Sequence, residues 1–173
     1  MKKVLLIAAL AVSSVSFAQT SKSTWMLGGG AGFSSSKTGD LDPTTNLNFS
    51  PSIGYFVIDN LAIGAQIVVN SEKTGDVSTS TTAFGPSVRY YFTSLGNNAK
   101  LFGGLNIAFG SSKQDDVSVS ATAFGVEAGA AFFLNQSIAL EAGLGYNSLK
   151  VKDYDDPTNT IGLRVGFQIH FGK

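Results

Sequence analysis

Few side chains in this sequence could do chemistry, and their types narrow the choice at once. Cysteine is absent and His170 is the single histidine. Thiol nucleophiles, thiolate metal sites and a multi-histidine zinc centre are therefore excluded. A serine triad is excluded with them, because no loop supplies an imidazole. Asp153, Asp155 and Asp156 form a loose acidic cluster, but EF-hand spacing and its terminal glutamate are missing, so they read as solvated charge. Gly28-Gly29-Gly30 opens no helix and is no phosphate loop. The expectation is a protein with no catalytic residue, no metal and no bound cofactor. One set of charges stands apart. Arg89, Glu127, Glu141 and Arg164 lie inside otherwise uncharged segments, two of each sign. Such charges are costly in an interior unless paired, so an interior salt-bridge network is the chemistry this set is suited to.

The elements that carry these four residues alternate with a period of two. Apolar side chains occupy every second position through 25–33, 47–57, 61–69, 84–92, 101–109, 124–132, 138–146 and 161–171. Eight segments with one apolar face predict eight strands. The opposite register is of another kind. It holds 14 of the 20 glycines together with Asn48, Ser50, Ser52, Gln66, Asn106, Gln168, His170 and the four charges. A water-facing sheet surface has no use for so much glycine, which weakens strands. A narrow barrel lumen does, since side chains converge there from all round. The apolar register then faces lipid and the small, polar register faces a closed interior.

Composition agrees. The chain has 173 residues and is only 14% charged, with no net charge. That gives no electrostatic footprint for nucleic acid. Lys2 and Lys3, the apolar run 4–12 and the small residues Ser16 and Ala18 read as a secretory signal peptide. The predicted organisation is a signal peptide over 1–18 and one barrel domain over 19–173. No later apolar run is long enough for a membrane-spanning helix.

The gaps between segments set the topology. Residues 34–46, 70–83, 110–123 and 147–160 form long connections, while 58–60, 93–100 and 133–137 form shorter ones. The long connections fall at one end and hold 14 of the 24 charged residues. Outer-membrane barrels combine short periplasmic turns with longer external loops in this way. Aromatics gather at both segment ends: Trp25, Tyr55, Phe92, Phe132 and Phe171 at one, Phe33, Phe49, Phe84, Phe109, Phe124 and Tyr146 at the other. An internal repeat links the middle hairpins. DVSTSTTAFG at 76–85 returns as DVSVSATAFG at 116–125, identical at eight of ten positions. Pro51 and Pro86 sit on the lipid-facing register, where a bulge at equivalent places would accommodate them.

The signal peptide, the eight alternating strands, the 51–57 segment running into Ile58-Asp59-Asn60 and 61–64, and the aromatic-ended last strand resemble a small bacterial outer-membrane β-barrel. The pattern is similar to the OmpX and OmpA transmembrane-domain type, particularly the barrel-domain proteins of Bacteroidota. It departs from that type at the end, where Gly172 and Lys173 follow the aromatic Phe171. The resemblance implies an all-β, eight-stranded, antiparallel up-and-down transmembrane barrel in the cell outer membrane. It implies a structural or surface-interaction role through four external loops, in a monomer. Its partners would be outer-membrane lipid and lipopolysaccharide, with surface proteins reached by the loops, and no nucleic acid. The alternatives are a minor porin for small solutes and a secreted lipocalin-like barrel; the second requires the apolar face to point inward.

Overall fold

The structure, a computed structural model, describes residues 17–36, 42–96, 98–114, 117–152 and 156–172. Residues 1–16 of the expected signal peptide lie outside this set, as do Lys37, Asp40, Asp115, Asp116, Asp153 and Asp155. Eight strands follow a short 3-10 turn at Phe17–Thr20: β1 Trp25–Ser36, β2 Thr44–Ile58, β3 Leu61–Thr74, β4 Val77–Ser94, β5 Ala99–Gln114, β6 Val117–Phe133, β7 Ile138–Val151 and β8 Thr158–Phe171. Each pairs antiparallel with the next, and β8 closes on β1, so the barrel has no open edge. Closure is what allows a sheet to cross lipid, because every backbone group finds a partner inside the wall.

The apolar register faces outward. Leu27, Ile53, Leu105 and Leu144 are 44–58% exposed, and Leu163 is 83% exposed. The lipocalin-like arrangement is thereby ruled out, since its apolar residues would line the interior. Trp25 pairs with both Tyr55 and Phe171 at the lower end, and Phe84 with Phe109 at the upper end. Both aromatic belts point outward, where rings suit the membrane–water boundary.

The upper end differs from the expectation of four long loops. The strands run on past the upper belt, and only Gly75 and Asp76 separate β3 from β4. The register stays in step to its tip, from Val69 opposite Thr82 to Thr74 opposite Val77. Threonine and valine favour extended chain, and the serine and threonine hydroxyls add cross-strand bonds. Thr81 donates to Ser112 at 3.1 Å, and the hydroxyls of Thr44 and Thr74 meet at 2.8 Å. The segments between the apolar runs are therefore mostly tall hairpins, in line with the weak alternation of the Ser/Thr-rich runs 77–82 and 117–122, which lets these strands continue beyond the membrane.

Neither proline makes the expected bulge. The β2–β3 register is the same on both sides of Pro51, and the β4–β5 register on both sides of Pro86. Pairing lapses at Ser50 and Pro51 toward β3, and at Gly85 and Pro86 toward β5, while the opposite neighbour stays paired. An imino nitrogen costs one ladder bond on one side and need not shift the strand. The register shifts that do occur lie at Phe56/Ile58 and Tyr91/Ser94, beside the lower turns. Opposite Pro51, Gly29 has φ 153°, and a Cβ there would press on the Ser50 carbonyl oxygen and stand 2.8 Å from the Pro51 Cα. Gly29→Ala is expected to lower stability by about 1–3 kcal/mol, read as an earlier urea midpoint of the folded barrel in detergent. An unchanged midpoint would show that the backbone relaxes there.

Candidate functional site: a charged lumen over an aromatic floor

The lumen residues come from facing strands, and glycines opposite them make the room. Glu127 on β6 pairs with Gly104 and Gly145, Arg164 on β8 with Gly143, and Arg89 on β4 with Gly104 and Ala62. A Cβ on Gly104 would stand 2.8 Å from a Glu127 carboxylate oxygen, and one on Gly145 would stand 2.9 Å from the Arg164 Cδ. The excess of lumen glycine thus has a steric use in an eight-stranded bore. Glu127 and Arg164 each lie over a neighbour with no side chain of its own.

Arg89, Glu127, Glu141 and Arg164 meet in one chain of ion pairs. The Arg89 guanidinium donates to both oxygens of Glu141, at 2.6 and 2.8 Å, and to Glu127 at 2.5 Å. Glu127 turns its second oxygen to Arg164 at 2.7 Å. Arg89 is therefore the centre of the cluster, and it joins the two glutamates to each other. Uncharged groups complete it. Tyr91 donates to Glu141 at 3.3 Å, Gln168 donates to Glu141 at 3.2 Å, and Arg164 donates to Ser50 at 3.0 Å. The Arg89 side chain also lies over the Phe102 ring, 4.4 Å from its centroid. The two arginines and two glutamates cancel in charge, and the side chains of Arg89, Glu127 and Glu141 are only 8–13% exposed. Close charge pairing and partners for the remaining lone pairs are the conditions under which buried charge is tolerated. Two small cavities flank the cluster, of ≈ 30 and ≈ 20 Å³. Each holds about one or two waters.

Below the charges lies a floor that the polar-face reading of the sequence misses. Met26, Phe56, Tyr91, Phe102 and Phe133 are buried together. His170 stands among them, 5.5 Å from the Phe133 ring and 6.0 Å from Phe56. It is 2% exposed, and neither ring nitrogen has a hydrogen-bond partner among the described residues. His170 is thus packed as a ring. The signal for this floor is present in the sequence: Tyr90-Tyr91-Phe92 and Tyr55-Phe56-Val57 are apolar on both registers.

The segment before β1 closes the mouth beneath. Thr20 is buried, donates to the Asn60 side chain at 2.7 Å and accepts from the Lys100 ammonium at 2.7 Å. Lys100 also donates to Asn60 at 2.9 Å, and the Asn60 amide donates to the Thr20 carbonyl at 2.7 Å. Among the described residues, no group of three or more His, Asp or Glu side chains could hold a metal ion.

The sequence matches the family described as outer membrane protein beta-barrel domain over residues 4–168. Neisserial surface protein A is similar in structure, with a TM-score of 0.66, 20% identity, and coverage of 86% of this chain and 96% of that one. The N-terminal β-barrel domain of Pseudomonas aeruginosa OprF gives 0.55 at 13% identity, covering 87% and 98%. Pseudomonas aeruginosa OprG gives 0.53 at 13% identity, covering 91% and 99%. At these identities the likeness is one of fold. No curated protein sequence matches the chain.

Proposed function

We propose a function from the premise that the chain belongs to the outer membrane protein beta-barrel domain family and lies in the outer membrane. It acts there as a closed, monomeric barrel with no catalytic role, whose work is structural or is done at the surface through its external hairpins. Residues 1–18 are its export signal and 19–173 its barrel. One observation carries this reading: the bore is filled at three successive levels. Charged side chains centre on Arg89, an aromatic layer surrounds His170, and Thr20, the second residue of the barrel segment, is latched by Lys100 and Asn60. The two cavities beside the charges are of ≈ 30 and ≈ 20 Å³, sized for water and too small for a solute. The carboxylates and arginines spend their bonds on one another, so none is held ready for a passing substrate. Above the wall, tall charged hairpins carry the residues that another molecule would meet.

Conductance tests the reading. In planar bilayers the purified barrel is expected to give no discrete single-channel steps. Glu127→Ala and Arg164→Ala are expected to remain silent too, because the aromatic floor and the N-terminal latch stay in place beneath them. Regular steps from the unaltered protein, altered in size by Glu127→Ala, would favour a narrow porin instead.

A further inference from the structure

We propose that the aromatic floor of the bore is a binding site for a soft monovalent metal ion, Cu(I) or Ag(I), held between the His170 imidazole and the Met26 thioether. The two residues are register partners across the β1–β8 pair, Met26 directly opposite His170. Both point into the bore, and they are 5% and 2% exposed. Facing side chains of an antiparallel pair are rooted about 5 Å apart. That spacing lets one nitrogen and one sulfur meet on a single small ion.

The donor atoms are unspent. Neither ring nitrogen of His170 has a hydrogen-bond partner among the described residues. A neutral imidazole carries a lone pair on one nitrogen and a hydrogen on the other. Leaving both unmet in a buried place is costly, and a bound ion is one of the few things that explains it. The Met26 sulfur lies 3.5 Å from the Tyr91 hydroxyl, but that hydroxyl has one hydrogen and the Glu141 carboxylate takes it. The sulfur therefore keeps its lone pairs for a metal. Gln168 stands two residues up β8 on the same register, and its buried Oε1 also lacks a partner among the described residues. It supplies an acceptor for the imidazole N–H that the metal leaves over. Such outer bonds fix the tautomer of a ligating histidine.

The surroundings select the ion. The rings of Phe133, Phe56 and Tyr91 stand 5.5, 6.0 and 6.5 Å from the His170 ring. Neither ligand is an anion, and the carboxylates above, Glu127 and Glu141, are bound by Arg89. The charged groups that act on His170 are the cations Arg89 and Lys100. Two neutral ligands among positive neighbours hold a double charge poorly, and Ca2+ and Mg2+ need oxygen ligands besides. Thioether and imidazole together suit Cu(I). Aromatic faces accept a single positive charge. Cysteine and a second histidine are absent, and a thioether–imidazole pair needs neither. The way in is the lower mouth, beneath which Thr20 is latched.

Composition makes the test clean, because His170 is the single histidine and Met26 is the single methionine after Met1. The folded barrel is held in zwitterionic detergent and chloride-free buffer, with Ag(I) as the probe and native mass spectrometry as the readout. One silver ion per barrel is expected, with a urea midpoint that rises as silver is added. Met26→Leu keeps the volume of the side chain and is expected to weaken binding by at least about tenfold. His170→Phe keeps a ring in the floor and is expected to abolish binding. Zn2+ at the same concentration is expected neither to bind nor to displace silver. Heat-modifiable mobility in electrophoresis verifies that each variant is folded. The proposal is overturned if the unaltered barrel takes up no silver, if either variant holds silver as tightly, or if Zn2+ competes on equal terms. Conductance bears on the closed bore and silver uptake on this site, so either reading can fail alone.

Discussion

Arg89→Met lowers the stability of the folded barrel by about 3–5 kcal/mol, read as a large fall in the urea midpoint in detergent. The reason is the position of Arg89 between two buried carboxylates. It bonds Glu141 with one nitrogen and Glu127 with the other. Removing it leaves Glu141 with only Tyr91 and Gln168, and Glu127 with only Arg164. The cost is that of stranding charge in a bore, which exceeds the net worth of the pair. The companion variants separate these effects. Glu141→Gln keeps the shape of the side chain and is expected to cost less than Arg89→Met, because Arg89 retains Glu127. In R89M/E141Q the charge stranded at Glu141 is gone while Glu127 keeps Arg164, and most of the lost stability is expected to return. If the double variant were as unstable as Arg89→Met, packing of the Arg89 stem over Phe102 would be the dominant contribution.

The wall of this barrel is legible in the sequence because a single physical rule writes it. Lipid on one side and a narrow bore on the other impose a period of two, and Leu27, Leu105 and Leu163 obey it as clearly as the lumen glycines do. The four lumen charges stand out for the same reason, each on the inward register of an uncharged segment. Their partners do not stand out. That Arg89 holds both glutamates depends on how far each strand is sheared against its neighbours, and stagger leaves no mark in a one-dimensional pattern. The hairpins above the upper belt are faintly legible, through the weak alternation of 77–82 and 117–122. Outside the membrane both faces meet water, so Ser78 and Thr79 carry the same polarity, and the strand loses most of the signal that reveals it. The prolines mislead through an argument that is correct in kind. A ladder bond is lost at Pro51 and at Pro86, but the other neighbour holds the register. The aromatic floor escapes because large apolar residues are ordinarily assigned to the lipid face. Phe56 and Tyr91 sit beside outward-facing apolar neighbours, and alternation can place only one residue of each pair outside.

That floor carries the second large effect. Tyr91→Ala is expected to lower stability by about 3–5 kcal/mol, and Tyr91→Phe by about 1 kcal/mol. The two values divide the residue into its ring and its hydroxyl. The ring is 1% exposed and packs 5.9 Å from Phe56, 6.0 Å from Phe102 and 6.5 Å from His170, measured between centroids. Removing it opens a cavity among side chains fixed to a closed wall that cannot collapse inward to fill it. The hydroxyl reaches upward to Glu141 at 3.3 Å and has the Met26 sulfur at 3.5 Å. Its loss leaves Glu141 still bonded by Arg89 and Gln168, so the penalty is small. Urea unfolding followed by the fluorescence of Trp25, the single tryptophan, measures both variants on one scale. Equal losses would mean that Tyr91 serves mainly as a ligand of Glu141. A loss confined to Tyr91→Ala would mean that the floor is held by packing and that the charge cluster rests upon it. In that case combining Tyr91→Ala with Arg89→Met should cost more than the sum of the two, because each removes support from Glu141 and Phe102, the residues the two layers share.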